Sequence, residues 1–327
     1  MPKPSLTIDW HITQRCNQAC KHCYVAGEQF RGEATPQETI RIIDKILSLK
    51  NDFNIRVTLT GGEPLLIDDI FKIALAFSEN DIPISLTTNG LLVYKSIDKI
   101  VSSGITYIQV SIDGLQSVHD YLRGFNAFDS AIDALSFLKR ENLLPSVMTT
   151  VNSYNFKQVQ EIIDLVRSMD IPLLGIQRFV PIGRGVGFKN LALTPENCRD
   201  LLEYIMNKKE ELKDEICIVA PDPLRILIDN QEAAGCPVGN NFLALTPNGD
   251  MLPCCKLPIS LGNILSMDFH DAWNSEIMDE FRSCHNLKGK CGRCVHREIC
   301  RGCRAAAYAT CGDYLAEDPQ CWMKSLA

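Results

Sequence analysis

The chain lacks any apolar run approaching the ~20 residues that a bilayer-spanning helix needs. No signal-type apolar segment follows Met1-Pro2-Lys3-Pro4-Ser5 either. Both absences point to a cytoplasmic protein with no membrane partner, in a compartment where thiols stay reduced. A basic surplus is also missing, with 33 Lys and Arg against 40 Asp and Glu and a net charge of -7. That argues against nucleic acid as the partner, because neutralising phosphates takes a basic surface. It leaves room for a local basic pocket that would take an acidic small molecule. Low-complexity stretches are absent, and 46% hydrophobic with 22% charged residues is ordinary globular composition. At 327 residues the chain can form one large domain or two moderate ones with a real core.

Cysteine is what the sequence has in excess. Fifteen are present, an odd number clustered at the two ends, with only Cys198 and Cys217 in the long middle section. Metal ligation fits this better than a disulfide framework. Cys198 and Cys217 suit the role of small buried hydrophobes, and Cys311 also reads as a buried thiol.

Between residues 36 and 180 helical and strand-like patterns alternate. Helices are expected at Pro36–Lys50, Ile67–Ser78, Tyr94–Ser103, Ala127–Glu141 and Phe156–Met169. Strands are expected at Leu6–Trp10, Ile55–Thr60, Ile84–Thr88, Tyr107–Ile112, Val147–Val151 and Leu173–Phe179. Such alternation implies α/β architecture with parallel strands and right-handed crossovers. Six units are too few for a closed eight-fold barrel, so an open, partial (β/α)6 TIM-like barrel over residues 1–190 is expected. Functional groups should then sit at the carboxyl ends of the strands. A bridging segment over 191–235, with a helix at Pro195–Leu212, leads to a small cysteine-rich domain over 236–327 that metal would hold together.

Cys16-x3-Cys20-x2-Cys23 directly follows the first strand. Three thiolates from one loop can bind three irons of a [4Fe–4S] cube and leave the fourth open, as catalysis requires. A zinc site borrowing His11 or His22 is the alternative. The run from Cys16 to Tyr24, with its aromatic residue after the third cysteine, resembles the signature loop of the radical S-adenosylmethionine (SAM) superfamily. The resemblance implies that the open iron binds SAM, whose reductive cleavage produces a 5′-deoxyadenosyl radical that abstracts a substrate hydrogen. It assigns Tyr24, Gly61, Gly62, Glu63, Pro64, Asn89, Ser111, Asp113 and Arg123 to the SAM pocket. In that assignment Gly61–Pro64 hold the SAM ammonium, Ser111 or Asp113 lies near the ribose, and Arg123 grips the carboxylate. No catalytic acid or base is identifiable.

The C-terminal cysteines carry a second pattern. Cys236 is followed by twelve residues, Gly249, four residues and Cys254; then comes Cys291-x2-Cys294-x5-Cys300-x2-Cys303, with Cys321 near the end. Taken alone, paired C-x2-C motifs also fit a zinc ribbon. The whole pattern resembles the SPASM extension of radical SAM enzymes, although two residues separate Cys300 from Cys303 where the family usually has three. The resemblance implies two auxiliary [4Fe–4S] clusters, one on Cys236, Cys254 and Cys303, the other on Cys291, Cys294, Cys300 and Cys321. The first set lacks a fourth ligand, since Asn230 and Phe242 stand where fuller versions have another cysteine. Cys255, Cys284, another group or substrate would complete it.

Phe179–Gly185, Gly302–Ala305 and Gly312–Pro319 resemble two neighbouring groups. These are the tetrapyrrole side-chain enzymes of alternative haem and haem d1 synthesis, and peptide maturases of the mycofactocin type. Auxiliary clusters could accept or relay an electron, and a flavodoxin or ferredoxin would supply reductant. The first cluster cysteine stands only sixteen residues from the start, which leaves no room there for a peptide-recognition domain and tilts toward a small-molecule substrate or a peptide delivered by a separate protein; a tetrapyrrole is the expected substrate. A peptide substrate is the alternative, and a non-catalytic electron carrier would not need Gly61–Pro64.

Overall fold

Alternation along the strands sets the architecture. In β1 (Ser5–His11), Leu6, Ile8 and Trp10 are buried while Thr7 and Asp9 between them are partly open. The same period of two runs through β2 (Asn54–Thr60), β3 (Ile84–Thr88), β4 (Tyr107–Ser111) and β5 (Leu144–Val151). One sheet face thus packs against helices and the other, largely polar, borders open space. The computed structural model describes residues 2–26, 32–229 and 235–324, so Asn230 lies outside the described residues.

β1 to β5 and β6 (Leu173–Arg178) lie side by side in chain order, every neighbouring pair parallel. Between them run α1 (Pro36–Ser48), α2 (Ile70–Ser78), α3 (Val93–Ser102), α4 (Gln116–Arg123), α5 (Ala127–Arg140) and α6 (Val159–Ser168). This is the expected partial (β/α)6 barrel. α1 shows why a helix forms where it does: Thr35 caps it in a reciprocal box with Glu38, Pro36 follows the cap, and Ile42, Ile43 and Ile46 form the buried stripe. Trp10 of β1 meets Phe77 of α2 edge to face, ring centroids 6.4 Å apart. α4 was not among the expected helices. It is short, mostly polar and bounded by Gly114 and Gly124, so no long apolar stripe announces it.

The sheet continues past six strands. Following α7 (Pro195–Glu211), β7 (Cys217–Val219) pairs with β6. At the other edge, β8 (Phe242–Leu245) runs parallel to β1 and forms a hairpin with β9 (Met251–Leu252). The segment expected as a helical bridge therefore also contributes a strand, and the cysteine-rich region contributes two. These strands are too short to show periodicity; they form because the open edges of the barrel offer unpaired backbone groups.

Beyond β9 come short helices, α8 (Phe269–Trp273), α9 (Glu276–Arg282), α10 (Gly289–Gly292) and α11 (Arg304–Cys311). Buried Arg178 at the end of β6 anchors this region. It pairs with Asp222 at 2.5 Å, with both oxygens of Asp318 at 3.0 and 2.6 Å, and with Gln320 at 2.9 Å. Cys198 is buried in α7, but Cys217 and Cys311 are exposed, contrary to the expectation for both. β7 is an edge strand and Cys311 ends α11, so neither position can be covered on all sides. No helix among the described residues is long and apolar enough to cross a membrane.

Candidate functional site

The loop after β1 is held on three sides. The Gly62 N–H donates to Thr13 O at 2.7 Å and the Glu63 N–H to Arg15 O at 2.8 Å. Gly61 has φ +139°, and a Cβ there would stand 2.4 Å from Thr13 O; at Gly62 it would stand 2.1 Å from Arg15 O. The two glycines are thus required by the loop backbone itself. The Lys21 N–H donates to Leu122 O at 2.8 Å, next to α4's Arg123. From beyond β6, the Arg184 N–H donates to Cys23 O and its Nη1 to Cys20 O, each at 2.9 Å.

The loop faces a cavity at the carboxyl ends of the strands. Cys16, Cys20, Cys23, Tyr24, Gly61, Gly62, Asn89, Ser111 and Arg123 line it, as do Gln18 and Phe179 from the motif segments and Gln109, Met148, Thr150, Gln177 and Lys256, which no motif had singled out. Asn89 Nδ2 lies 3.9 Å from Cys16 Sγ and donates to Asn17 Oδ1 at 2.7 Å.

Three expected pocket residues do not line the cavity. Pro64 is buried and opens a single tight turn, Pro64–Leu66. Glu63 is fully buried, its carboxylate accepting from Leu65 N–H at 3.1 Å, Thr88 Oγ1 at 2.9 Å and Asn89 N–H at 2.9 Å. Burial pushes Glu63 up to about 7 against the pull of those donors. Asp113 is also fully buried. It accepts from His22 Nε2 at 2.9 Å, Arg123 Nε at 2.5 Å and Thr150 N–H at 2.8 Å, while its own N–H donates to His119 Nδ1 at 3.1 Å. Burial works to raise it, but Arg123 and His22 outweigh that and hold it well below the usual carboxylate range. Asp113 therefore positions Arg123 and the cysteine loop from behind. His22, which a zinc site would borrow, is engaged with Asp113, and His11 with Cys255.

The donor chemistry fits iron–sulfur ligation. Burial pushes Cys20 and Cys236 up to about 11 and Cys300 up to about 12, so iron would have to supply the charge that favours thiolate. Three candidate ligands each accept a backbone N–H from two residues downstream, all at 3.4 Å: Cys16 from Gln18, Cys254 from Lys256 and Cys294 from His296. Such N–H···S contacts tune cluster potential. No three His, Cys, Asp or Glu side chains among the described residues are grouped to hold a single metal ion.

The C-terminal cysteines fall into two groups. Cys291, Cys294, Cys300 and Cys321 line one cavity. Cys236, Cys254 and Cys303 lie close enough to feel one another: burial, then Cys303, raises Cys236, and Cys254 is raised first by its bond with Cys255 and by burial, with Cys236 adding to it. Asp318 ties the groups together, accepting the Cys303 N–H at 2.8 Å while its own N–H points to Cys291 Sγ at 3.4 Å. Cys255 adjoins Cys254 and turns to His11 and Tyr24. Cys284 packs beside Leu287 and Cys291 and bonds to Glu298.

Residues 10–166 match the radical SAM superfamily, and residues 236–304 match an iron–sulfur cluster-binding domain, SPASM. An AdoMet-dependent heme synthase from Methanosarcina barkeri is 31% identical over 96% of this chain and 95% of its own length. Another from Nitratidesulfovibrio vulgaris is 26% identical over 97% and 92%. The crystal structure of Streptococcus suis SuiB bound to S-adenosylmethionine superposes with TM-score 0.79 at 19% identity, covering 98% of this chain and 78% of that one.

Proposed function

Because the chain belongs to the radical SAM superfamily, we propose that it takes a hydrogen atom from a carboxylate-bearing side chain of a tetrapyrrole, whose carboxyl group then leaves as carbon dioxide to give an alkene, the one electron left over being one that an auxiliary iron–sulfur cluster would accept. It is an enzyme that uses SAM and a [4Fe–4S] cluster, and its SPASM domain binds auxiliary iron–sulfur clusters. The observation that supports the tetrapyrrole is the end-to-end match, at 31% identity, to a protein named heme synthase.

Within this reading Cys16, Cys20 and Cys23 hold the primary cluster. Gly61 and Gly62 offer backbone to SAM, Asn89, Ser111 and Tyr24 line its adenosyl side, and Arg123 takes its carboxylate. Glu63 and Asp113 act from behind, bracing Asn89 and Arg123 through the bonds described. When bound, SAM and the reduced cluster supply the radical that removes the hydrogen atom. Met148, Phe179, Val180 and Val25 give the cavity apolar wall that keeps water from the reacting carbon. Two auxiliary clusters would rest on Cys236, Cys254 and Cys303 and on Cys291, Cys294, Cys300 and Cys321. A flavodoxin- or ferredoxin-type reductant and a reducing cytoplasm complete the setting.

The test is anaerobic reconstitution with iron and sulfide, reduction with dithionite, and incubation with SAM and iron-coproporphyrin III. 5′-Deoxyadenosine and a porphyrin lighter by the elements of formic acid should appear together in mass spectra. Deoxyadenosine formed without any change in the porphyrin would refute the tetrapyrrole assignment.

A further inference from the structure

One cation on the cavity wall has no carboxylate within ion-pair distance among the described residues. Lys256 follows Cys254 and Cys255 in the turn after β9, and its Nζ reaches across to β6, donating to Gln177 Oε1 at 2.7 Å. Gln177 Nε2 donates in turn to Thr150 Oγ1 at 3.2 Å, which fixes the amide with its oxygen toward the ammonium. An ammonium carries three N–H donors, and Gln177 takes one. Among the described residues no carboxylate stands within ion-pair distance of Nζ, whereas Arg123 and His22, the other basic groups lining the cavity, share Asp113. Asp9 feels Lys256 from beyond that distance and is itself pushed up to about 7, first by burial; the neighbouring Cys255 feels it too, but its thiol is held down first by its bond with Cys254.

We propose that Lys256, oriented by Gln177, is the carboxylate-binding site of the substrate cavity. A half-buried cation with spare donors is stabilised by an anion that brings its own charge. The surroundings indicate which anion. Thr150, Ser111 and Gln109 are neutral, and Met148 and Phe179 are apolar. A phosphate would call for several cationic or backbone N–H donors, while one ammonium beside amides and hydroxyls suits one carboxylate group of a substrate whose nearby skeleton is apolar. The same three-residue turn carries Cys254, so the carboxylate would be gripped between the Cys16–Cys20–Cys23 loop and the Cys236, Cys254 and Cys303 group. Lys256 is thus a specificity-determining residue, and it selects substrates by their charge.

The inference takes its probe from the tetrapyrrole reading, and the experiment separates the two. Binding of iron-coproporphyrin III and of its neutral tetramethyl ester would be followed by absorbance titration on wild type, Lys256→Met and Lys256→Arg, each with its clusters reconstituted. Lys256→Met should weaken binding of the acid roughly ten- to hundredfold, the size of one charge-assisted hydrogen bond. Lys256→Arg should recover most of it, and the ester should bind wild type as weakly as the acid binds Lys256→Met. Equal binding of the acid by wild type and Lys256→Met overturns the inference. If wild type binds neither porphyrin, the tetrapyrrole reading fails. The inference then rests on glutarate, a small dicarboxylate, which should slow acylation of Lys256 by an N-hydroxysuccinimide ester where neutral glutaramide does not. Equal protection by the two overturns it.

Discussion

Replacing Asp318 should loosen the cysteine-rich region from the barrel. Its carboxylate is fully buried and accepts four hydrogen bonds: two from Arg178 at 3.0 and 2.6 Å, one from Cys303 N–H at 2.8 Å and one from Gln320 N–H at 3.0 Å. Asp318→Asn keeps the shape but removes the charge and turns an NH2 toward donors. Arg178 would retain Asp222 at 2.5 Å, so its charge is not orphaned and the cost falls below the roughly 3–5 kcal/mol of a fully broken buried pair. Two weakened charge-assisted bonds suggest about 2–3 kcal/mol. Asp318→Ala loses all four acceptors and should reach about 3–5 kcal/mol. At about 2–4 °C per kcal/mol for a domain of this general size, Tm should fall roughly 5–10 °C for Asn. Burial acts to raise the Asp318 pKa, but Arg178 outweighs it and holds the group below the ordinary range. Its stabilisation is therefore present above the unfolded-state pKa and disappears as pH falls through the folded one, so wild type and variant should converge in acid. Calorimetry across pH, with iron content per chain, measures this. Unchanged Tm and iron in both variants would refute the claim that Asp318 clamps the two cysteine groups to β6.

Gly62→Ala places a methyl 2.1 Å from Arg15 O, so the cysteine loop must shift; iron retention and SAM cleavage should collapse together. Gly187→Ala, which meets nothing within 4 Å, should retain both, and equal behaviour of the two variants would contradict the packing argument. Glu63 has its pKa raised from 4.5 to about 7 by burial, so the folded state binds its proton more tightly than the unfolded state. Its contribution to stability is present below about 4.5 and lost as pH rises through about 7. Glu63→Gln should flatten the Tm–pH curve across that interval, and an unaltered slope would count against the raised carboxyl.

The barrel was legible because its strands alternate over five or more residues and its helices carry stripes such as Ile42, Ile43 and Ile46. Elements of two to four residues, β7, β8 and β9, have no measurable period and are recruited by the sheet edges. The cysteine loop was legible because its chemistry is local in sequence. The residues that hold it are not: Arg184, Gln177 and Lys256 come from beyond β5 and meet the loop or its cavity only through barrel closure. Cysteine count alone also misled at Cys217 and Cys311, since nothing in their spacing distinguishes an edge position from a core one.

Motif reading and geometry diverge most usefully over the acids. Glu63 and Asp113 stand in motifs at the strand ends and were expected to face SAM, yet both carboxylates turn inward, saturated by Leu65, Thr88 and Asn89 in one case and by His22, Arg123 and Thr150 in the other. Their work is to set the positions of Asn89 and Arg123. The chain has a net charge of -7, yet none of the described residues lining the main cavity is Asp or Glu, and Lys256 is the lining cation that lacks a carboxylate partner. The two strand-end carboxylates, Glu63 and Asp113, thus stand behind the wall, while Lys256 faces the cavity without an ion-paired carboxylate. Such a cavity repels cations and favours an anion among otherwise similar apolar molecules, which is the discrimination that a carboxylate-bearing substrate requires.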